Sequence, residues 1–164
     1  MNHTTDPQAA DVAAEYRTDF SVGEHSARHL RRILRMYLTS WDLLDVADAA
    51  ELALTELIAN VVGHVPGRRC QTRILLQAGG VRVEVADGCP RLPRPAGGDD
   101  LAEGGRGLLL VDAVTDDWGV ETRPDGGGKT VWFECLAATA ADVRRPGPSR
   151  SLSARRRFPR GPHR

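Results

Sequence analysis

Apolar positions recur in two rhythms along this chain, and the switches between them mark out strands and helices. After a polar arm, "EYRTDFS" (15–21) reads as a short strand, and Ser21 with Glu24 has the spacing of a capping box that opens a helix. Ala27, Leu30, Leu34, Tyr37 and Leu38 then recur at helical spacing while Arg28, Arg31, Arg32 and Arg35 take the other side, which predicts an amphipathic helix. A second helix is expected from about Asp45 to His64, with Leu54, Leu57, Ile58, Val61 and Val65 as its apolar stripe and Pro66 and Gly67 as its stop. The rhythm shortens to two in "CQTRILLQAGGVRVEVADG", two strands joined at Ala78, Gly79 and Gly80, in which Val81, Val83 and Val85 alternate with Arg82, Glu84 and Ala86.

Residues 88–104 are rich in Gly and Pro, as in a loop, and "GRGLLLVDAV" resumes the helical pattern from about Gly105. A last hairpin, "WGVETRPDGGGKTVWFECL", sets Val131, Phe133 and Cys135 on one face of its second strand and Trp132 and Glu134 on the other. Sequential strands that pair antiparallel, mixed with helices, predict a two-layer α/β sandwich: a mixed, largely antiparallel sheet packed on helices.

At 164 residues the chain has the size of one domain. No window approaches the roughly 20 apolar residues of a membrane span, and the N-terminus lacks the basic and apolar regions of a signal peptide, so a cytoplasmic protein is expected. The zero net charge conceals an asymmetry. Residues 1–140 hold 14 Lys and Arg against 21 Asp and Glu, whereas residues 141–164 hold eight Arg against one Asp. An acidic folded part argues against nucleic acid as its direct ligand. The tail, rich in Arg, Pro, Gly and Ser without apolar periodicity, has the composition of a solvated segment. The expected organisation is an arm at 1–15, a folded domain at 16–138 and a basic tail at 139–164. Cys70, Cys89 and Cys135 have no C-x-x-C spacing, so neither a disulfide framework nor a zinc site is expected.

Three segments carry candidate chemistry. In "ELALTELIANVVGH", Glu56, Asn60 and His64 are spaced i, i+4, i+8, so a carboxylate and an amide share one flank of the helix beside its apolar stripe. Asp87 and Gly88 close the strand "VRVEVA", where a carboxylate can accept from an exocyclic amine and a glycine admits a close ligand. In "EGGRGLLL", Gly104, Gly105 and Gly107 leave backbone N–H groups free for anions at the positive end of the following helix. Each alone has a plainer reading, as a solvated helix flank, a turn or a flexible loop.

Their order carries a resemblance. "ELIANVVGH", a strand ending in "DG", a Gly/Pro-rich stretch, "GGRGLLLVDAV" and then "GGKTVWFE" resemble the successive boxes of the Bergerat-fold (GHKL) ATPases. The likeness is to the stand-alone anti-sigma-factor serine/threonine kinases, over about Phe20 to Cys135. It implies ATP and Mg²⁺ as cofactors. Asn60 would coordinate the metal, and Glu56 would be the catalytic base on the attacking hydroxyl. Asp87 would accept from the adenine amine, Gly88 would line the base pocket, Thr130 would support the adenine, and Gly105, Arg106 and Gly107 would hold the phosphates. His64 also falls on the motif, but ends a helix and is read as a cap.

The partners implied are a sigma factor and an anti-anti-sigma (STAS-type) antagonist phosphorylated on Ser or Thr. The alternative is a catalytically inactive ATP-dependent binding regulator, and pairing of two copies is left open. Two departures bear on this: "DGCPRLP" puts Cys89 and Pro90 where relatives continue a glycine pattern, and the lid stretch, residues 89–103, is short.

Overall fold

The computed structural model describes residues 14–93 and 105–138. Strand β1 (Glu15–Ser21) leads into helix α1 (Ser26–Ser40), a 3₁₀ turn (Leu44–Val46) and helix α2 (Ala47–His64). A second 3₁₀ turn (Pro66–Arg68) precedes β2 (Arg69–Gln77) and β3 (Gly80–Asp87); then come helix α3 (Gly105–Val114), β4 (Asp117–Thr122) and β5 (Lys129–Leu136). The five strands form one sheet in the order β1-β2-β3-β5-β4. Every pairing is antiparallel, so the sheet is more uniform than the mixed one expected.

Period two in the strands gives the sheet two unlike faces. Thr72 and Ile74 on β2, Val81, Val83 and Val85 on β3, and Val131, Phe133 and Cys135 on β5 are buried together with Leu30, Leu34 and Leu38 of α1, Leu54, Leu57, Ile58 and Val61 of α2, and Leu108 and Val111 of α3. One sheet and one helical layer thus share a single core, the two-layer sandwich anticipated from the alternating rhythms. Phe133 is wholly buried, and truncating such a residue to alanine costs about 3 to 5 kcal/mol.

The opposite face is held by charge. Arg73 donates to Glu15 and Glu84, while Arg82 donates to Glu84 and Glu134 and lies 4.0 Å over the Trp132 ring. Gly119, opposite Trp132 in the ladder, leaves the room for the indole: a Cβ there would meet the ring at 2.8 Å.

The charged flank of α1 also has a structural use. Arg35 binds Asp48 and Glu51 and Arg31 reaches the Thr55 hydroxyl, so two of its four arginines tie α1 to α2. Tyr16 on β1 packs at a tilt of 50° against Tyr37, ring centroids 5.6 Å apart, fixing the first strand to α1.

Two boundaries differ from expectation. Ser21 and Glu24 form no capping box, because Ser21 ends β1, paired with Arg69; α1 begins at Ser26, whose Oγ accepts from the Gly23 N–H at 2.8 Å. The second helix starts at Ala47, with a 3₁₀ turn in the place of its expected first residues. The arm and tail expected at the termini, and most of the lid stretch, lie outside the described residues.

Candidate functional site

The residues singled out in the sequence gather into two groups. The first lies where α2 meets α3. Glu56 and Asn60 are one turn apart on α2, each half-buried, and Gly107 of α3 is packed against both. A Cβ on Gly107 would come to 2.8 Å from Glu56 Oε2 and 3.8 Å from Asn60 Oδ1, so glycine is what lets the two helices close over these side chains. Asn60 Nδ2 is buried and has no hydrogen-bond partner among the described residues. A buried amide left unpaired costs about 1 to 3 kcal/mol, so the helix pair keeps a polar group that its own packing does not satisfy.

Gly105 is the first residue of α3, and its backbone N–H belongs to the orphan donors of that helix end. Arg106 is exposed in the same turn, while Gly104 lies outside the described residues. These residues suit a Mg-nucleotide: an amide oxygen is a proper Mg²⁺ ligand, and the open start of a helix suits phosphate oxygens. Among the described residues no three His, Cys, Asp or Glu cluster as a metal site.

The second group lies at one end of the sheet. Asp87, the last residue of β3, is buried, and its Oδ1 accepts from the Cys89 N–H at 2.8 Å and from Lys129 Nζ at 2.9 Å. Lys129 Nζ also donates to the Cys89 carbonyl at 3.0 Å. Gly128 makes the approach of β5 possible, since a Cβ there would fall on the Asp87 carbonyl and its φ is +149°. Gly88 is exposed beside this pair. A cleft of about 700 Å³ opens here, with Asp87, Gly88, Cys89, His64 and Val65 in its wall, and His64 is exposed at the end of α2. The thiol of Cys70, paired with Asp87 in the ladder, is pushed above its ordinary value by burial and, to a lesser degree, by the Asp87 charge.

Thr130 does not join this group. Alternation along β5 puts it with Trp132 and Glu134 on the charged face, while Lys129, one residue earlier, turns toward Asp87. Lys129 is a polar side chain of this group that the sequence reading did not single out. The signal was present: Val131, Phe133 and Cys135 inward implies Lys129 inward by parity. Glu56, Asn60, Arg106 and Gly107, for their part, are not in the wall of the cleft among the described residues.

No helix among the described residues is long and apolar enough to cross a membrane. An uncharacterised protein of Streptomyces coelicolor is 44% identical over 78 residues, covering 44% of this chain and 72% of that protein. A chain in the crystal structure of the SiaB-SiaC complex from Pseudomonas aeruginosa matches at 11% identity with a TM-score of 0.48, over 74% of this chain and 88% of its own. The family profile of the histidine kinase-like ATPase domain matches residues 21–135, from the last residue of β1 to the penultimate residue of β5 and across both groups, and the chain belongs to that family.

Proposed function

We propose that this chain is an ATP-binding regulator of the anti-sigma type that uses Mg-ATP to phosphorylate a Ser or Thr of a STAS-type antagonist and otherwise holds a sigma factor. The observation that carries the reading is Gly107 packed against Glu56 and Asn60, with the Asn60 amide left unsatisfied. Asn60 Oδ1 is the ligand for Mg²⁺, which when bound neutralises the phosphate oxygens. Gly105, Arg106 and Gly107 hold the phosphates through backbone N–H groups and one guanidinium. Asp87 accepts from the adenine amine, and Gly88 leaves room for the ring. Glu56 takes the proton of the attacking hydroxyl as its oxygen bonds to the γ-phosphorus; the bond to the bridging oxygen breaks and ADP leaves with that electron pair.

The test is phosphate incorporation into candidate antagonists from the native cell, read by intact-protein mass spectrometry, with nucleotide affinity measured in parallel for wild type and Asn60→Ala. Transfer by wild type, and loss of both transfer and magnesium-dependent ATP binding in Asn60→Ala, is the expected result. ATP binding without transfer to any antagonist removes the kinase and leaves the ATP-dependent binder.

A further inference from the structure

We propose that the outer part of the cleft is a docking site for an acidic peptide segment of a partner protein, held by Arg91 and Arg123. Side-chain parity divides the wall of this cleft. Cys70 and Asp87, paired in the β2–β3 ladder, turn to the helical side, whereas Gln71 and Ala86, the next pair, turn to the charged face of the sheet. Asp19, opposite Gln71, and Arg69 share that outer side. Arg123, whose N–H donates to the Gly128 carbonyl just past the end of β4, joins them in the wall. The cleft therefore passes around the end of the sheet. Its inner part holds Asp87, and its outer part uses none of the residues assigned to the nucleotide.

The charges of this wall do not balance. Asp19 is bound to Arg69 at 3.1 Å and Asp87 to Lys129 at 2.9 Å, so both carboxylates of the wall are taken. Arg91 and Arg123 are exposed, and neither side chain has a partner among the described residues. Two guanidinium groups without counter-charge stand out where, over residues 1–140, Asp and Glu outnumber Lys and Arg by 21 to 14. One follows β3 and the other follows β4, so positive charge is offered from two separate stretches of chain. Each guanidinium presents paired N–H donors that match a carboxylate, and successive acidic side chains on one segment supply two of them. The Gln71 amide, without a hydrogen bond among the described residues, can both donate and accept, which suits the backbone of such a segment. The acidic balance of the domain opposes a long polyanion, which selects a short stretch of polypeptide over nucleic acid.

The experiment is fluorescence anisotropy of a labelled hexa-aspartate peptide titrated at low salt with the full chain, with hexa-asparagine as the neutral probe. The proteins are wild type, Arg91→Gln, Arg123→Gln, the double variant and Arg28→Gln, an exposed α1 arginine outside the cleft wall, each checked by thermal melting. Wild type should bind hexa-aspartate about tenfold tighter than the neutral probe. Each single cleft variant should lose about two- to fivefold, the scale of an exposed ion pair, and the double variant should lose the preference. Arg28→Gln should bind as wild type does. Cleft variants that bind like wild type overturn the proposal, as does an equal loss in Arg28→Gln, which would mean diffuse attraction. Displacement of the peptide by inorganic phosphate beyond that by sodium chloride of the same ionic strength overturns it in favour of a small-anion site. A gain of more than about fivefold in Asp99→Asn/Asp100→Asn overturns it in favour of this chain's own acidic stretch as the occupant. No nucleotide enters the measurement, so its result is separate from the ATP reading.

Discussion

The two ends of the candidate site are built on opposite terms. At the sheet end, Asp87, Lys129 and the Cys89 backbone satisfy one another, and Gly128 packs directly against the Asp87 backbone. Where α2 meets α3, the Asn60 amide has no partner among the described residues, and Gly107 is opposed by the movable tip of the Glu56 side chain. A closed polar unit resists change and supplies a fixed template, whereas an open one holds back its hydrogen bonds for something else. The first suits recognition of a rigid ring. The second suits phosphate oxygens and a metal whose positions shift during transfer.

That contrast can be broken most sharply at Glu56. Glu56→Gln should lower phosphoryl transfer by roughly 10²- to 10⁴-fold while nucleotide affinity stays within about threefold, because a base acts in the transition state. Equal transfer rates for the two proteins would dissociate Glu56 from the chemistry. Asp87→Ala acts at the closed end and should do two things at once. It should weaken ATP binding at least about tenfold in a titration with a fluorescent analogue. It should also cost about 3 to 5 kcal/mol in denaturant unfolding, because the Lys129 ammonium is left buried without its partner.

The two glycines sharpen the comparison further. Gly128→Ala meets backbone in a left-handed conformation and should destabilise by more than about 2 kcal/mol. Gly107→Ala meets the Glu56 carboxylate tip at 2.8 Å, with Glu56 Cβ and Asn60 Oδ1 at ordinary contact distance, and alanine is the better helix former by about 1 kcal/mol, so its melting point should hold while transfer falls.

Smaller effects lie outside both ends. Burial pushes the Cys135 thiol up to about 12 from 9.0, and Cys70 is raised too. The unfolded chain therefore gives up these protons first: their contribution is whole below pH 9 and is lost as pH rises toward 12, which a series of alkaline melting curves would reveal. Least of all should be felt on cutting the chain after Ala140, because residues 141–164 carry too few apolar groups to offset ordering; an unchanged melting point is expected.

Most of the fold could be read from the residues themselves. The stripe Leu54, Leu57, Ile58, Val61 fixed α2, and Val81, Val83, Val85 fixed the inward face of β3, because burial imposes a period that survives in one sequence. What failed was local and competitive. Ser21 and Glu24 had the spacing of a cap, yet the backbone of Ser21 was already committed to the β1–β2 ladder. In the site, Asp87 was visible as a strand-end carboxylate, and Glu56 and Asn60 as neighbours on a helix flank. The Lys129 partner was hidden because a lysine after three glycines reads as turn chemistry, and only parity along β5 turns it inward. The meeting of Gly107 with Glu56 spans about fifty residues and has no local signature.

The order β1-β2-β3-β5-β4 also has a consequence for how the molecule comes apart. The strands that carry Asp87 and Lys129 are interior and, like β2, laced on both sides, whereas β1 and β4 hang from a single neighbour. Amide protons of β1 and β4 should exchange with solvent soonest and those shared by β3 and β5 near the rate of global unfolding. Fraying from either rim would therefore leave the floor of the cleft intact until the whole sheet gives way.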